Sequence, residues 1–280
     1  MTNLSDLGPP TFRRPLRPAT PLRYAAHTMA HEALFSHIEK IQGAEPWGSV
    51  LDAGTGAHSL EWIIGLDTTR WTAVTADPAR TKILGRRFGS RIRRGDEIVS
   101  GNWTDDAFLH GQVFDVVLAD YLIGAVDFFA PYYQDVLLER LKPHVEARLY
   151  VVGLEPYRED VESPAAELIL EIARLRDACI VLAGHRCYRE FPLEWILRQL
   201  ERAGYTIEDA RAFPIVYGQK FINGQLDVCV QKLPRIRDRD LAVALEEQIK
   251  SLRERALSFS MANDGVRFGQ DYVVFAKPDR

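Results

Sequence analysis

The run Val50-Leu51-Asp52-Ala53-Gly54-Thr55-Gly56 joins a short apolar strand to a glycine turn, with a carboxylate at the junction. Strand, Gly-x-Gly turn and following helix open a doubly wound α/β sheet, and such sheets bind ligands outside the carboxyl ends of their strands. Glycines 54 and 56 carry no Cβ, so the backbone is expected to bend sharply there and approach a ligand closely. Leu60-Glu61-Trp62-Ile63-Ile64 reads as the start of the helix packed on the sheet. Trp71 to Ala76 reads as the next strand and ends at Asp77, about 20 residues past the turn, where folds of this kind hold a ribose hydroxyl. Two departures disfavour a nicotinamide dinucleotide. Ser59 takes the place of the third glycine of G-x-G-x-x-G, and Asp52 sets a negative charge where a pyrophosphate gains nothing from it. A cationic or zwitterionic ligand suits the turn better.

Strands are expected at about 49–52, 72–76, 92–99, 113–119 and 147–153, alternating with helical stretches. That alternation favours a parallel sheet with helices on both faces. Ahead of it, Pro9, Pro10, Pro15, Pro18 and Pro21 forbid a regular helix and leave an extended arm. From Leu22 to Ile41, Ala26, Met29, Ala33, Leu34, Ile38 and Ile41 recur at helical steps. Residues 1–41, arm and helix, are therefore expected to form a lid, and residues 42–280 the main domain. Ala165 to Leu182 reads as a long helix that would roof a substrate pocket, and Leu193 to Gly204 as a further helix ending on glycine, followed by a strand through Tyr205 and Ile207. The charged segment from Arg235 to Arg255 spaces Leu241, Leu245, Ile249 and Leu252 as one apolar stripe, a helical insertion near 235–260.

At Asp52, Gly54 and Gly56 the chain resembles the class I S-adenosylmethionine-dependent methyltransferases, whose first motif has the form acid-x-Gly-x-Gly. Asp77 matches the acid that holds the adenosyl ribose in that family, and Gly101-Asn102-Trp103 falls where a polar side chain meets the adenine and a neighbour packs on its ring. Phe114 to Tyr121 looks like the fourth strand, Arg148 to Gly153 the fifth, and Asp271 to Lys277 the closing strand. The resemblance covers roughly residues 45–155 well and 190–280 more loosely. It implies a Rossmann-like α/β fold, a mostly parallel sheet with helices on both faces and a final antiparallel strand. It also implies S-adenosyl-L-methionine as cofactor, held by Tyr24, Asp52, Ala53, Gly54, Thr55, Gly56, Asp77, Pro78, Asn102, Trp103 and Asp120. His58 stands where the family commonly has another glycine, which keeps open a non-catalytic, cofactor-binding regulatory or scaffolding subunit.

Methyl transfer from a sulfonium needs alignment and exclusion of water more than dedicated catalytic groups. A hydroxyl or protonated amine acceptor still needs a base within hydrogen-bond reach. Asp120 and Tyr121 at the end of the fourth strand are the first candidates, with His27 on the first helix; Glu155, Tyr157, Tyr24 and His31 are further ones. Phe128, Phe129, Tyr132 and Tyr133 would wall a hydrophobic site or simply pack a helix on the sheet. His27 and His31 share a helix face, but no third ligand stands at a recognisable spacing, so no metal is expected.

A formal net charge of −4 gives no general attraction to phosphate backbones, which leaves a small-molecule substrate and no nucleic acid. The run Arg86, Arg87, Arg91, Arg93 and Arg94 is the local exception and reads as a solvated face. No apolar run reaches the length of a membrane span, and the first twelve residues lack the basic and apolar regions of a signal peptide, so a cytoplasmic protein is expected. Cys179, Cys187 and Cys229 form no CxxC pair and read as idle thiols. The charged insertion would suit lid or homodimer contacts.

Overall fold

A computed structural model describes residues 28–279, and side chains from residue 32 onward. Among the described residues the strands are β1 (Ser49–Asp52), β2 (Arg70–Thr75), β3 (Glu97–Ser100), β4 (Phe114–Asp120), β5 (Val145–Leu154), β6 (Tyr205–Tyr217) and β7 (Val266–Pro278). The helices are α1 (Thr28–Gln42), α2 (Ala57–Gly65), α3 (Pro78–Phe88), α4 (Leu122–Phe129), α5 (Gln134–Leu141), α6 (Pro164–Leu182), α7 (Leu193–Arg202), α8 (Gln219–Lys232) and α9 (Arg239–Ala262). The strands form one sheet in the order β3-β2-β1-β4-β5-β7-β6. β1 to β5 pair in parallel, whereas β7 runs antiparallel to both β5 and β6.

Two-residue alternation along the strands divides the core into two layers. Val50, Val116, Leu118, Tyr150, Val152, Val273 and Phe275 face α1, α2 and α3 through Leu34, Ile38, Leu60, Ile63, Leu84 and Phe88. Leu51, Val117, Ala119, Leu149, Val151 and Val274 face α4, α5 and α7 through Ile123, Val126, Leu137, Leu141, Ile196 and Leu200. A third cluster stands beyond the carboxyl end of the sheet. There α6, α8 and α9 pack Ile169, Ile172, Ile222, Leu226, Ile249, Leu252 and Ala256 against Leu154, Ile215, Tyr217 and Val266. The pairing of β5 with β7 stops at Leu154 and Asp271, while β6 and β7 continue past it to Tyr217 and Val266. That two-stranded extension carries the helical cap.

Several sequence expectations need correction. The helix expected in a lid is a core helix: Leu34 and Ile38 are fully buried, His37 Nε2 pairs with Asp209 of β6 at 2.9 Å, and Tyr150 donates to Gln42. A boundary at residue 41 therefore does not follow the packing; the proline arm, Tyr24 and His27 lie outside the described residues, as does the His31 side chain. The helical insertion is larger than 235–260. It includes α8 as well as α9 and interrupts a continuous β6–β7 pair. β6 runs well beyond Ile207 because an edge strand leaves alternate residues exposed, and Glu208, Arg211 and Ala212 look like loop when read alone. β3 starts at Glu97 rather than near residue 92, since Arg93 and Asp96 close a turn through a 2.8 Å ion pair.

Candidate active site

The glycine turn is built by packing as much as by backbone freedom. Neither Gly54 nor Gly56 has a positive φ among the described glycines. A Cβ on Gly54 would stand 2.8 Å from Leu122 Cδ1, so glycine is required by close approach of α4 rather than by the bend. At Gly56 a Cβ would meet only Arg80 Nη2 at 3.8 Å and Ser59 Oγ at 4.0 Å, which leaves room beside the turn. Ser59 is more than a replaced glycine: its Oγ accepts from the Gly56 amide at 3.0 Å, closing the first turn of α2. Thr55 N–H donates to Val74 at 2.6 Å and Ala53 N–H to Leu118 at 2.8 Å, tying the turn to both neighbouring strands.

Asp52 ends β1 fully buried, and neither carboxylate oxygen has a donor at hydrogen-bond geometry among the described residues. Burial raises its pKa to about 6, opposed by the Ser59 and Thr55 hydroxyls, the Gly54 amide and Arg80. Asp120 ends β4 with a buried, unpartnered Oδ1, and burial together with Asp52 and Asp271 holds its carboxyl well above the usual carboxylate range. Asp271, on β7, is fully buried too; burial lifts it to about 7, with the Tyr121 hydroxyl pulling down and Glu190 pushing up. Tyr121 follows Asp120 in left-handed backbone, φ 48° and ψ 22°, a strained conformation for a bulky residue. Asp77 caps α3, its Oδ1 accepting from Ala79 N–H at 2.9 Å, with Pro78 at the first helical position.

Other sequence candidates are placed elsewhere. Trp103 is buried under the turn, where its indole N–H donates to Ala53 O at 2.7 Å and Tyr133 donates to its carbonyl. It braces the turn from inside the core, which corrects its placement on the adenine ring. Asn102 Oδ1 accepts from Thr104 N–H at 3.2 Å, beside Gly101. Glu155 caps α7 by accepting from Leu193 N–H at 2.8 Å, a structural task rather than that of a base. Tyr132 is 81% exposed and stacks with Arg186, so the aromatic group does not form one wall. His58 lies within electrostatic reach of Lys220, Arg87 and Glu61, and burial with the two cations lowers its pKa. Its ring does not come within 4 Å of a Cβ placed on Gly56.

A scan of family models finds none that matches, and no curated protein matches either. Solved structures do. A putative methyltransferase from Bacillus halodurans C-125 superposes with a TM-score of 0.56 at 14% identity, covering 89% of this chain and 100% of that one. The [4+2]-cyclase SpnF follows at 0.52 and 12%, covering 88% and 80%. The mycolic acid cyclopropane synthase CmaA1, solved with S-adenosylhomocysteine, gives 0.50 and 14%, covering 88% and 84%. The chain has the class I methyltransferase fold. Within that fold the glycine turn, Asp77 and Asn102 lie along the carboxyl edge of the sheet from β1 to β3, and Asp120 and Tyr121 stand at the end of β4.

Beyond this carboxyl edge lies a cavity of about 410 Å3, lined by Leu154, Tyr157, Tyr188 and Phe221 and by the charged Arg176, Arg189 and Glu190. Tyr157 and Tyr217 share a 2.5 Å hydroxyl contact at its side, and Tyr217 stacks on Phe221 with ring centroids 4.1 Å apart. Arg80, Glu190 and Asp271 were missed as site residues in the sequence. Arg80 and Glu190 sit in no motif, and Asp271 looked like the polar first residue of an apolar strand.

Proposed function

We propose that the chain is an S-adenosylmethionine-dependent methyltransferase acting on a small-molecule acceptor at oxygen or nitrogen. The observation that carries this reading is Asp52: a fully buried carboxylate with both oxygens unpartnered, at the end of β1 beside a Gly-x-Gly turn. A buried polar group is ordinarily hydrogen-bonded, and an orphaned carboxylate at this edge suits a cationic ligand. The residues present fit the cofactor. Asp52 is suited to its ammonium group, the space beside Gly56 admits the methionine portion, and Asp77, with Oδ1 on the helix cap, offers its other oxygen to the ribose. Asn102 lies where the adenine edge would end.

When bound, S-adenosylmethionine supplies a methyl group activated on a sulfonium sulfur. This chain's own residues orient and enclose. Leu122 and Trp103 fix the turn from the core side, Tyr121 and Asp120 stand at the end of β4 to orient the acceptor, and the cap covers the extended ends of β6 and β7. A cavity of about 410 Å3 suits a small molecule, and three of the five arginines of the basic run are engaged internally, Arg87 and Arg91 by Glu61 and Arg93 by Asp96 and Thr68. No helix among the described residues is long and apolar enough to cross a membrane.

Titration calorimetry with S-adenosylhomocysteine tests the reading. Saturable binding is expected, and Asp77→Ala should weaken it about 10- to 150-fold, the worth of a hydrogen bond to a charged group. No binding by the parent protein would refute the proposal.

A further inference from the structure

The junction between the ends of α6 and α8 gathers positive charge that no acid answers. Lys232, in the last turn of α8, is only 7% exposed although its side chain carries an ammonium. Its Nζ lies 3.1 Å from Nδ1 of His185, in the loop that follows α6, and Nη1 of Arg235 lies 3.3 Å from Nε2 of the same ring. A neutral imidazole offers one lone pair and one N–H, and a protonated one offers two N–H groups and no lone pair. With both flanking side chains charged, at least one of the two contacts therefore sets donor against donor. Burial, Lys232 and Arg235 hold the imidazole toward its neutral form, and burial with Arg235 lowers the pKa of Lys232 as well.

The neighbouring acids are engaged elsewhere. Asp177 of α6 pairs with Arg176 at 2.7 Å, Asp227 of α8 pairs with Arg253 at 2.8 Å, and Asp238 caps α9 by accepting from Leu241 N–H. Among the described residues no carboxylate forms an ion pair with His185, Lys232 or Arg235. The helix ends do not answer the charge either. The last carbonyls of α6 accept from the backbone N–H groups of Ala183, Gly184 and His185, and those of α8 from Leu233. A helix C-terminus carries only about half an elementary negative charge, so two of them leave two full positive charges and an imidazole N–H under-compensated.

We propose that this junction is an anion site that takes phosphate, free or as the phosphate group of a monoester, between Lys232, His185 and Arg235. The oxygens of one such group accept from an ammonium, a guanidinium and an imidazole N–H together, which relieves the donor-to-donor contact. Arg235 is exposed and His185 half-buried, so the site opens to solvent on that side. Phe221, Gln225 and Val228 line the cavity, and Lys232 falls on the same face of α8 one turn further on. A bound anion would thus join the loops after α6 and α8 at the outer end of that wall. The site stands apart from the glycine turn: Lys220, in the first turn of α8, acts on His58, and Lys232 follows twelve residues later, roughly 18 Å along the helix. The inference is therefore independent of the methyltransferase reading.

The test is titration calorimetry of the full chain with sodium phosphate, against sodium chloride of matched ionic strength. Saturable phosphate binding at millimolar concentrations is expected. Lys232→Gln and Arg235→Gln should each weaken it about tenfold or more, the worth of one charge-assisted hydrogen bond. Glycerol 3-phosphate forms the second arm: tighter binding than phosphate assigns the site to a monoester, and equal or weaker binding assigns it to the free ion. No saturable binding of either probe, or affinity in either variant equal to that of the parent, would overturn the inference. Should Lys232→Gln fail to fold, Arg235→Gln, at an exposed position, decides alone.

Discussion

The glycine-turn side of the molecule and the helical cap are built on opposite principles. Around β1 and α2 the parts come from one short stretch: Asp52, Gly54, Gly56 and Ser59 lie within eight residues and serve each other through the Ser59 cap on the Gly56 amide. The cap gathers α6, α8 and α9 from three separate stretches and closes them over the tips of β6 and β7. The first can be read from a motif because its geometry is local. The second depends on side chains that meet only once β7 is paired between β5 and β6. The contacts proposed for the cofactor belong to the local region, whereas the cavity is lined from the cap and the end of β5.

The largest effect should appear in the pH dependence of the sheet's buried carboxyls. Asp52 and Asp271 have pKa values of about 6 and about 7 in the fold, and Asp120 is raised as well, so the folded state holds protons that the unfolded chain loses near pH 4. Because folding raises these pKa values, their stabilising share is complete below about pH 4 and is lost as pH climbs to about 7, at up to about 1.4 kcal/mol per pH unit for each titrating group. Urea unfolding should therefore give a lower free energy at pH 7.5 than at pH 5. The stabilisation by S-adenosylmethionine should grow over the same interval as Asp52 ionises. A flat pH profile would mean that these carboxyls are solvated.

Leu252→Ala probes the cap. Leu252 is fully buried in α9, and its truncation should cost about 2–5 kcal/mol in urea unfolding. If the two regions divide the work as argued, S-adenosylhomocysteine affinity measured well below the melting temperature should stay near the parent value while methyl transfer falls. Loss of both together would show that the cap and the turn are one unit.

On the turn side, Gly54→Ala forces a Cβ against Leu122 at 2.8 Å and should destabilise by about 1–3 kcal/mol. Combining it with Leu122→Ala should cost less than the sum of the two single substitutions. Additive losses would indicate that the glycine serves backbone freedom instead. The smallest effect is expected for Ser59→Ala, which removes one cap and should cost about 0.5–2 kcal/mol, with the melting temperature as readout.

Much of the β1–α2 region was legible in the sequence. Asp52 ends a strand, the two glycines form the turn before α2 and Asp77 caps α3, because a strand end followed by a capped helix is set by neighbours in the chain. Trp103 was not legible in the same way. Its position after β3 suggested an adenine neighbour, but a large ring with an N–H within reach of Ala53 O gains more from burial and that hydrogen bond. The first helix misled for the same reason: Leu34 and Ile38 make an apolar stripe, and nothing in an isolated stripe says whether a sheet or a movable flap receives it.

By itself the sequence determined the alternation of strands and helices, the turn between β1 and α2 and the acid at the end of each of β1, β2 and β4, since these follow from residue periodicity and contacts a few residues apart. Only the tertiary structure decided that α1 belongs to the core, that α8 and α9 pack with α6 over the extended ends of β6 and β7, and that Asp271 comes within electrostatic reach of Asp120. The physical reason lies in register. The pairing of Leu154 with Asp271 brings the end of β5 against the middle of a strand from the far end of the chain, and burial, only partly offset by the Tyr121 hydroxyl, then gives that carboxyl a character its sequence neighbours do not reveal.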